Sequence, residues 1–313
     1  MATGFFYHPD FLLHDTGPGH PERAERLAAI IEKLNKEKML ENFPQPGFAP
    51  ASLEALSRVH DINYLEFLAK TATTKDFFTL DPDTTGCSQS WPAAKLAAGA
   101  AIKAVEEVHK GNLKNAFCAV RPPGHHAERE RAMGFCLVNN VAVAAAHLIE
   151  EFNYKRILIV DWDAHHGNGT QHIFYTDPKV FYYSSHQYPF YPGTGAAFET
   201  GEGAGKETTL NVPLTAGSGD KEFISAIREK LLSAAKNYRP EFIIISAGFD
   251  AHAADPLAGL NVTDAGFEAA ARLVKKLAEE ECGGKLVSVL EGGYDLEALA
   301  RCVYNHLRIL SED

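Results

Sequence analysis

Five short runs of the chain are apolar at consecutive positions and rich in branched or aromatic side chains: Ala116 to Val120, Ile157 to Val160, Val180 to Tyr183, Phe242 to Ile245 and Leu286 to Leu290. A strand that is apolar on both faces is covered on both sides, the condition of a parallel sheet. Around these runs lie amphipathic or alanine-rich stretches of helical length: Pro21 to Met39, Pro92 to His109, Asn140 to Phe152, Lys221 to Tyr238, Asp264 to Glu281 and Leu296 to Leu310. Pro21 and Pro92 are expected in first helical turns, and Asp220, Thr263 and Asp295 as N-caps. Strands alternating with helices predict a layered α/β fold, a mainly parallel sheet flanked by helices. The Gly- and Pro-rich stretches Phe43 to Pro50 and Pro189 to Thr209 read as surface loops, and no repeat or low-complexity linker divides the chain. Residues 1–313 are therefore expected to form a single domain.

Four of the predicted strands run directly into polar, glycine-containing segments, and in open α/β sheets ligands bind at the carboxyl ends of strands. Ala116 to Val120 is followed by Arg121-Pro122-Pro123-Gly124-His125-His126, and Ile157 to Val160 by Asp161-Trp162-Asp163-Ala164-His165-His166-Gly167-Asn168-Gly169. Phe242 to Ile245 leads into Ser246-Ala247-Gly248-Phe249-Asp250, and Leu286 to Leu290 into Glu291-Gly292-Gly293-Tyr294. These loops are expected to converge on one rim.

Two carboxylates and two imidazoles within six residues, Asp161 to His166, are costly to bury without a cation. If Asp163 ends its strand, His165 projects to the same side two residues later, and Asp250 can add a third ligand from a neighbouring strand end. Three protein ligands with an open position for water is the pattern of catalytic zinc. On these residues alone, a capping or hydrogen-bonding role for Asp163 and His165 stays open. His125 and His126 follow a rigid Pro-Pro-Gly turn and could move protons to and from a water and a leaving amine, or be satisfied loop histidines. Two glycines let the Tyr294 backbone approach a crowded site, where its hydroxyl could donate to an oxyanion or simply remain wet.

Composition narrows the classes. At 313 residues and 45% hydrophobic content the chain can bury a large core, which excludes a disordered tail or a disulfide-stapled miniature. The five cysteines, Cys87, Cys118, Cys136, Cys282 and Cys302, are odd in number and contain no Cys-x-x-Cys, so a reducing, cytoplasmic setting is expected. The N-terminus has no basic patch followed by an apolar stretch, and no segment reaches roughly eighteen uncharged apolar residues, so neither a secretion signal nor a membrane span is expected. A net charge of -11 disfavours direct nucleic-acid binding, which needs clustered Lys and Arg. It tolerates cationic peptides.

In their order and spacing these motifs resemble those of the arginase/deacetylase superfamily, specifically the histone-deacetylase family of class II type and its bacterial relatives. The resemblance begins at Gly17-Pro18-Gly19-His20-Pro21-Glu22-Arg23 and takes in the Pro-Gly-His-His turn, Met133-Gly134-Phe135-Cys136 and the Asp161 to Gly169 loop. It continues through Pro192-Gly193-Thr194-Gly195, Ala247-Gly248-Phe249-Asp250, Asp255-Pro256-Leu257 and Glu291-Gly292-Gly293-Tyr294, so that it covers most of the chain. Each motif is weak alone, and their succession is highly specific. The resemblance implies one three-layer catalytic domain of deacetylase type: a zinc-dependent hydrolase that removes acetyl groups from N-ε-acyl-lysine in proteins or peptides. It implies Asp163, His165 and Asp250 as zinc ligands, His126 as general base and acid, His125 paired with Asp161 as an electrostatic partner, and Tyr294 as the oxyanion donor.

By the same resemblance Phe135 and Tyr191 would flank a narrow acyl-lysine channel lined by Gly134. Leu257 would stand where acetylpolyamine-deacetylating relatives place an acidic gatekeeper, which favours acetylated proteins or peptides as substrates over small acylated amines. A monovalent ion, K+, near the zinc is also implied, with carbonyls around Asp161, Asp163 and His165 and the side chain of Ser184 as candidates. Tyr191 departs from the more usual phenylalanine, and Asn168 from the aspartate that some members place behind the second histidine. The chain ends soon after the last predicted helix, which is expected to leave no room for the extra domains of many eukaryotic relatives.

Small acylated amines such as acetylpolyamines remain the alternative substrate class. A catalytically idle acyl-lysine reader would need neither Tyr294 nor the histidine pair, and an arginase-like manganese hydrolase would need a second set of ligands beyond Asp161 to His165.

Overall fold

The computed structural model describes residues 2–312, so Met1 and Asp313, the ends of the span expected to form one domain, lie outside the described residues. The strands are β1 (Thr3–Phe6), β2 (Phe78–Asp81), β3 (Thr84–Gly86), β4 (Asn115–Cys118), β5 (Ile157–Asp161), β6 (Val180–Gln187), β7 (Thr209–Leu214), β8 (Phe242–Ala247) and β9 (Leu286–Leu290). Seven of them form one sheet in the order β1-β4-β9-β8-β5-β6-β7, parallel at every pairing. β2 and β3 make a separate antiparallel hairpin. The five runs legible in the sequence are β4, β5, β6, β8 and β9. The two edge strands escaped because neither carries a long apolar run: β1 has four residues, and Asn211 and Pro213 interrupt β7. At an edge, a proline leaves no ladder bond unmade.

The helices are α1 (Glu25–Lys36), α2 (Leu53–Ser57), α3 (Ile62–Thr71), α4 (Ser90–His109), α5 (Asn140–Phe152), α6 (Asn168–Phe174), α7 (Asp220–Ser225), α8 (Leu232–Tyr238), α9 (Asp264–Cys282) and α10 (Leu296–Ser311). α1, α10 and α9 pack in succession, while α4 lies along α5 and on β4 and β9. The central strands β4, β9, β8 and β5 are buried throughout, as the doubly apolar runs required.

Several expected boundaries shift. Pro21 precedes α1 instead of opening it, because the Glu22 amide donates to His20 Nδ1 (3.0 Å) and the Glu22 carbonyl accepts from Thr16 Oγ1 (2.5 Å). Lys38 takes a left-handed φ of +54° just beyond the end of α1, so Met39 falls outside that helix. The expected helix from Lys221 to Tyr238 is divided by a π-helical segment, Ala226–Leu231, for which nothing in the local sequence offers a reason. Asp220 is the first residue of α7 and not its N-cap, which is Gly219. Its carboxylate instead accepts from the amide and hydroxyl of Thr263 (both 2.7 Å), the residue that caps α9. Asp295 caps α10 as expected.

One buried ion cluster ties the amino-terminal loop to the carboxyl ends of β4 and β9. Glu22 is wholly buried. It accepts from Arg121 Nε and Nη2 (2.7 Å for the latter) and from Arg26 Nη1 (3.1 Å). Arg121 also donates to the carbonyls of Phe11 (3.0 Å) and His14 (3.1 Å), and Arg26 to those of Gly293 (2.6 Å) and Glu291 (2.5 Å). Removing the one carboxylate would leave two buried guanidinium groups uncompensated. Glu22→Ala is therefore expected to lose about 3–5 kcal/mol in urea unfolding near neutral pH. Burial opposes ionisation of Glu22, yet Arg121 and His14 hold its carboxyl well below the usual range. Its contribution is thus present above the unfolded carboxyl value, about 4.3, and lost as pH falls, so the variant should show a shallower acid loss of stability than the parent. Equal stability across that range would refute the role.

Candidate active site and metal centre

β4, β9, β8 and β5 are consecutive in the sheet, so the four loops that leave their carboxyl ends meet above its centre. β5 ends at Asp161, two residues before the expected Asp163. The turn beyond it is built by carboxylates that accept from the backbone two residues on: Asp161 Oδ1 from the Asp163 amide (3.2 Å), and Asp163 Oδ1 from the His165 amide (2.9 Å). These turns aim Asp163 and His165 at one point. Asp250, three residues beyond β8, arrives there with Oδ1 accepting from the Ala164 amide (2.7 Å).

His165 Nδ1 lies 3.1 Å from Asp163 Oδ1 and 2.9 Å from Asp250 Oδ2, and the potential ligand atoms of the three residues are all within 4.8 Å of one another. A Cβ on Gly292 would come within 2.5 Å of carboxylate oxygens of both aspartates, so only glycine allows this approach. Burial, and then the charge of Asp163, raise the Asp250 carboxyl, and the two carboxylates outweigh burial to push the His165 imidazole up to about 10. The cluster thus calls for positive charge at its centre, and a two-oxygen, one-nitrogen donor set fits a divalent cation such as zinc.

A second grouping, His252, Asp264 and Cys302, does not fit a metal. Asp264 accepts from Arg301 Nε (3.0 Å), and His252 Nδ1 accepts from the Ala254 amide (3.0 Å), so the hydrogen of the neutral ring sits on Nε2, which donates to Asp264 (3.2 Å).

The expected histidine pair flanks the first cluster, with ring centroids 4.0 Å apart, in two different environments. His125 Nδ1 lies 3.0 Å from Asp161 Oδ2, which also accepts from the Tyr182 hydroxyl (3.0 Å). Burial disfavours its charge, but Asp161 and Asp163 prevail and raise His125 to about 10. His126 Nδ1 lies 2.7 Å from Asn168 Oδ1. Burial and the neighbouring His125 and His165 push it well below the usual imidazole range. Opposite protonation states on adjacent rings suit an acid-base pair with divided tasks. In the second dipeptide only His165 faces the cluster, while His166 binds Thr194 Oγ1 (2.7 Å) and Gln171 Oε1 (3.0 Å) and steadies the loop beyond β6.

A cavity of about 210 Å³ opens onto these groups. Gly134, Phe135, Tyr191, Leu257 and Tyr294 all line it, together with His126 and His165. Phe135 is held at φ +68°, uncommon for a bulky residue, with its amide donating to Thr84 Oγ1 (3.1 Å). Its ring meets the edges of His20 (4.7 Å) and Tyr294 (5.9 Å). Asp255 accepts from the amides of Leu257 (3.0 Å), Tyr294 (2.6 Å) and Asp295 (3.2 Å). The Arg26 guanidinium lies 4.9 Å from the Tyr294 ring centroid. Burial raises the Tyr294 phenol well above its ordinary value, so the hydroxyl keeps its proton. Ser184, expected beside a monovalent ion, is buried with Oγ 2.8 Å from His186 Nδ1.

Sequence reasoning missed three contributors. Asp83, in the turn between β2 and β3, reaches the cavity and accepts from the Gly134 amide (3.1 Å), but a carboxylate in a short turn ordinarily reads as a turn former. Phe190 stacks on His165 at 5.2 Å, and its signal was only its adjacency to Tyr191. In the sequence Glu291 reads only as part of a motif. Its Oε2 accepts from the amides of Gly124 (2.7 Å) and His125 (3.1 Å), and its Oε1 from Ser246 Oγ (3.0 Å).

A family model described as the histone deacetylase domain matches residues 20–310. A probable deacetylase of Archaeoglobus fulgidus is 42% identical over 299 residues, covering 95% of this chain and 82% of that protein. The histone deacetylase 10, chloroplastic, of Oryza sativa subsp. japonica is 39% identical over 96% of this chain and 74% of its own. The crystal structure of the HDA15 HD domain matches with a TM-score of 0.94 at 38% identity, over 99% of this chain and 88% of that one. Among the described residues no helix is long and apolar enough to cross a membrane.

If the Asp163, His165 and Asp250 cluster binds a divalent ion, metal-stripped protein should gain thermal stability on addition of zinc. The gain should be about 2.7 kcal/mol at a hundredfold excess over the dissociation constant, and Asp250→Asn should abolish most of it. Calorimetry with and without zinc measures both; an equal gain in parent and variant would place the ion elsewhere.

Proposed function

This chain belongs to the histone deacetylase family, and from that premise we propose that it is a zinc-dependent deacetylase acting on N-ε-acyl-lysine in proteins or peptides. The observation that carries the reading is that Asp163 and Asp250 meet at His165, which lines one cavity together with His126 and Tyr294. We take these residues to work within one catalytic domain.

Asp163, Asp250 and Nδ1 of His165 would hold the ion. Bound there, zinc supplies a Lewis acid that polarises an amide carbonyl and lowers the pKa of water. His126, neutral and with Nδ1 on Asn168, presents Nε2 as the base that takes a proton from attacking water and returns it to the leaving amine. His125, holding a proton against Asp161, keeps positive charge beside the reacting atoms. Tyr294 donates its hydroxyl to the carbonyl oxygen as that oxygen becomes negative. Gly134 lies so close to His126 that a Cβ would fall 2.3 Å from its ring, and Phe135 and Tyr191 form aromatic walls suited to an extended, uncharged acyl-lysine side chain.

Leu257 at the cavity supports peptide substrates, because it brings no charge to attract a free polyamine. The Asp83 carboxylate favours the second reading, a small acylated amine. The five cysteines are all unpaired, which supports a reducing compartment such as the cytoplasm.

Acetate release from an acetyl-lysine peptide and from acetylputrescine separates the substrate classes. The peptide is expected to have the higher kcat/KM by at least about tenfold, and the reverse order would overturn the lysine assignment. Tyr294→Phe should lower kcat on the better substrate by about 10² to 10³ with little change in KM. Undiminished turnover after Asp163→Ala and Asp250→Ala together would end the metal-assisted mechanism.

A further inference from the structure

A general base at His126 needs one particular tautomer. Nε2 must carry the lone pair, so the single hydrogen of the neutral ring must sit on Nδ1. The partner of Nδ1 is the Asn168 amide at 2.7 Å. An amide can present either end: its oxygen there requires Nδ1–H, whereas its NH2 would require the opposite, unproductive tautomer. The choice is made at the far end of the amide, which abuts the Glu128 carboxylate. A carboxylate only accepts, so the nitrogen of Asn168 must face Glu128 and its oxygen must face His126. The other acceptors near that nitrogen are weak or distant, Met133 Sδ at 3.3 Å and the His126 carbonyl at 3.4 Å.

Glu128 is itself fixed from three sides. His172 on α6 brings Nδ1 within 2.8 and 2.9 Å of its two carboxylate oxygens. The Glu128 amide donates to the Arg131 carbonyl (2.9 Å). Its carbonyl lies 2.9 Å from Nδ1 of buried His60, whose Nε2 accepts from the Asn139 amide (2.9 Å), so His60 must donate from Nδ1. Burial lowers His60 to about 4, which keeps this clamp neutral. Glu128, His172 and His60 do not line the cavity.

We propose that Glu128 is a positioning residue that sets the tautomer of His126 through Asn168, with His60 and His172 holding Glu128 in place; the catalytic consequence rests on reading His126 as the general base. The Oε1 that meets Asn168 is also within reach of His172, so a glutamine oxygen can serve both, and Glu128→Gln should preserve the arrangement that Glu128→Ala removes.

The test uses the zinc-loaded enzyme labelled with 15N-histidine, the His126 signals being identified by their loss in His126→Gln. Parent and Glu128→Gln should both show a protonated Nδ1 and an unprotonated Nε2, with kcat equal within about twofold. Glu128→Ala should populate the Nε2-protonated tautomer and lose about tenfold in kcat on an acetyl-lysine peptide, with KM unchanged. A parent-like nitrogen pattern in Glu128→Ala overturns the proposal, as does a Glu128→Gln protein that behaves like Glu128→Ala. The nitrogen spectrum needs no turnover, so full activity in His126→Gln would sink the functional reading while leaving the tautomer assignment standing.

Discussion

Five carboxylates sit in the dry interior at or near the carboxyl ends of the central strands: Glu22, Asp161, Asp163, Asp250 and Glu291, none more than 1% exposed. Water cannot stabilise them there, so each must be answered by the protein or by something it binds. Glu22 is answered by Arg26 and Arg121, Asp161 by His125 and the Tyr182 hydroxyl, and Glu291 by two backbone amides and a serine. Asp163 and Asp250 stand apart. They face each other across the His165 imidazole, with His125 Nε2 3.9 Å from Asp163 Oδ1, and otherwise accept from backbone N–H groups. Glu22, Asp161 and Glu291 each have protein partners of their own, whereas this pair of carboxylates shares one imidazole, which points the demand for a cation to their meeting point.

The same layer explains why loops can hold so exact an arrangement. Loops are ordinarily the mobile part of an α/β fold. Here the turns after β4 and β9 are pinned by polar groups that take no place in the proposed chemistry. Glu291 grips the turn before His125, Asp255 the backbone of Tyr294 and Leu257, and Arg26 the carbonyls on either side of Gly292. Such groups make satisfied, buried networks that permit one geometry. The centre is therefore stiff because its supports are polar and dry, and the apolar sheet beneath supplies only the platform.

The platform was legible in the sequence because burial on both faces leaves an unbroken apolar run, as in β5 and β8. The groups at the ends of those runs were legible for the converse reason, since Asp163, His165 and Asp250 interrupt apolar sequence with expensive charge. What stayed hidden lacked either contrast. β7 is an edge strand broken by polar and proline residues, and α6 has only seven residues, too few for a helical period. Asp83 and Glu128 lie in stretches already rich in charge, where one more carboxylate carries no signal until tertiary structure shows which side chain it meets. The tautomer of an imidazole is a step further removed, because it depends on the partner of a partner.

The contrast between the two adjacent histidines follows from this arrangement of charge. His125 has the carboxylate of Asp161 behind it and holds a proton, whereas His126 has an amide behind it and does not. Were Asn168 an aspartate, both rings would be drawn toward the charged form, and the cluster would place two imidazolium groups 4.0 Å apart beside an intended cation. A neutral amide avoids that repulsion but surrenders the orientation that a carboxylate provides without ambiguity, since an amide has two unlike ends. The negative charge then has to reappear one residue further out, at Glu128, far enough not to charge His126 and close enough to orient the amide between them.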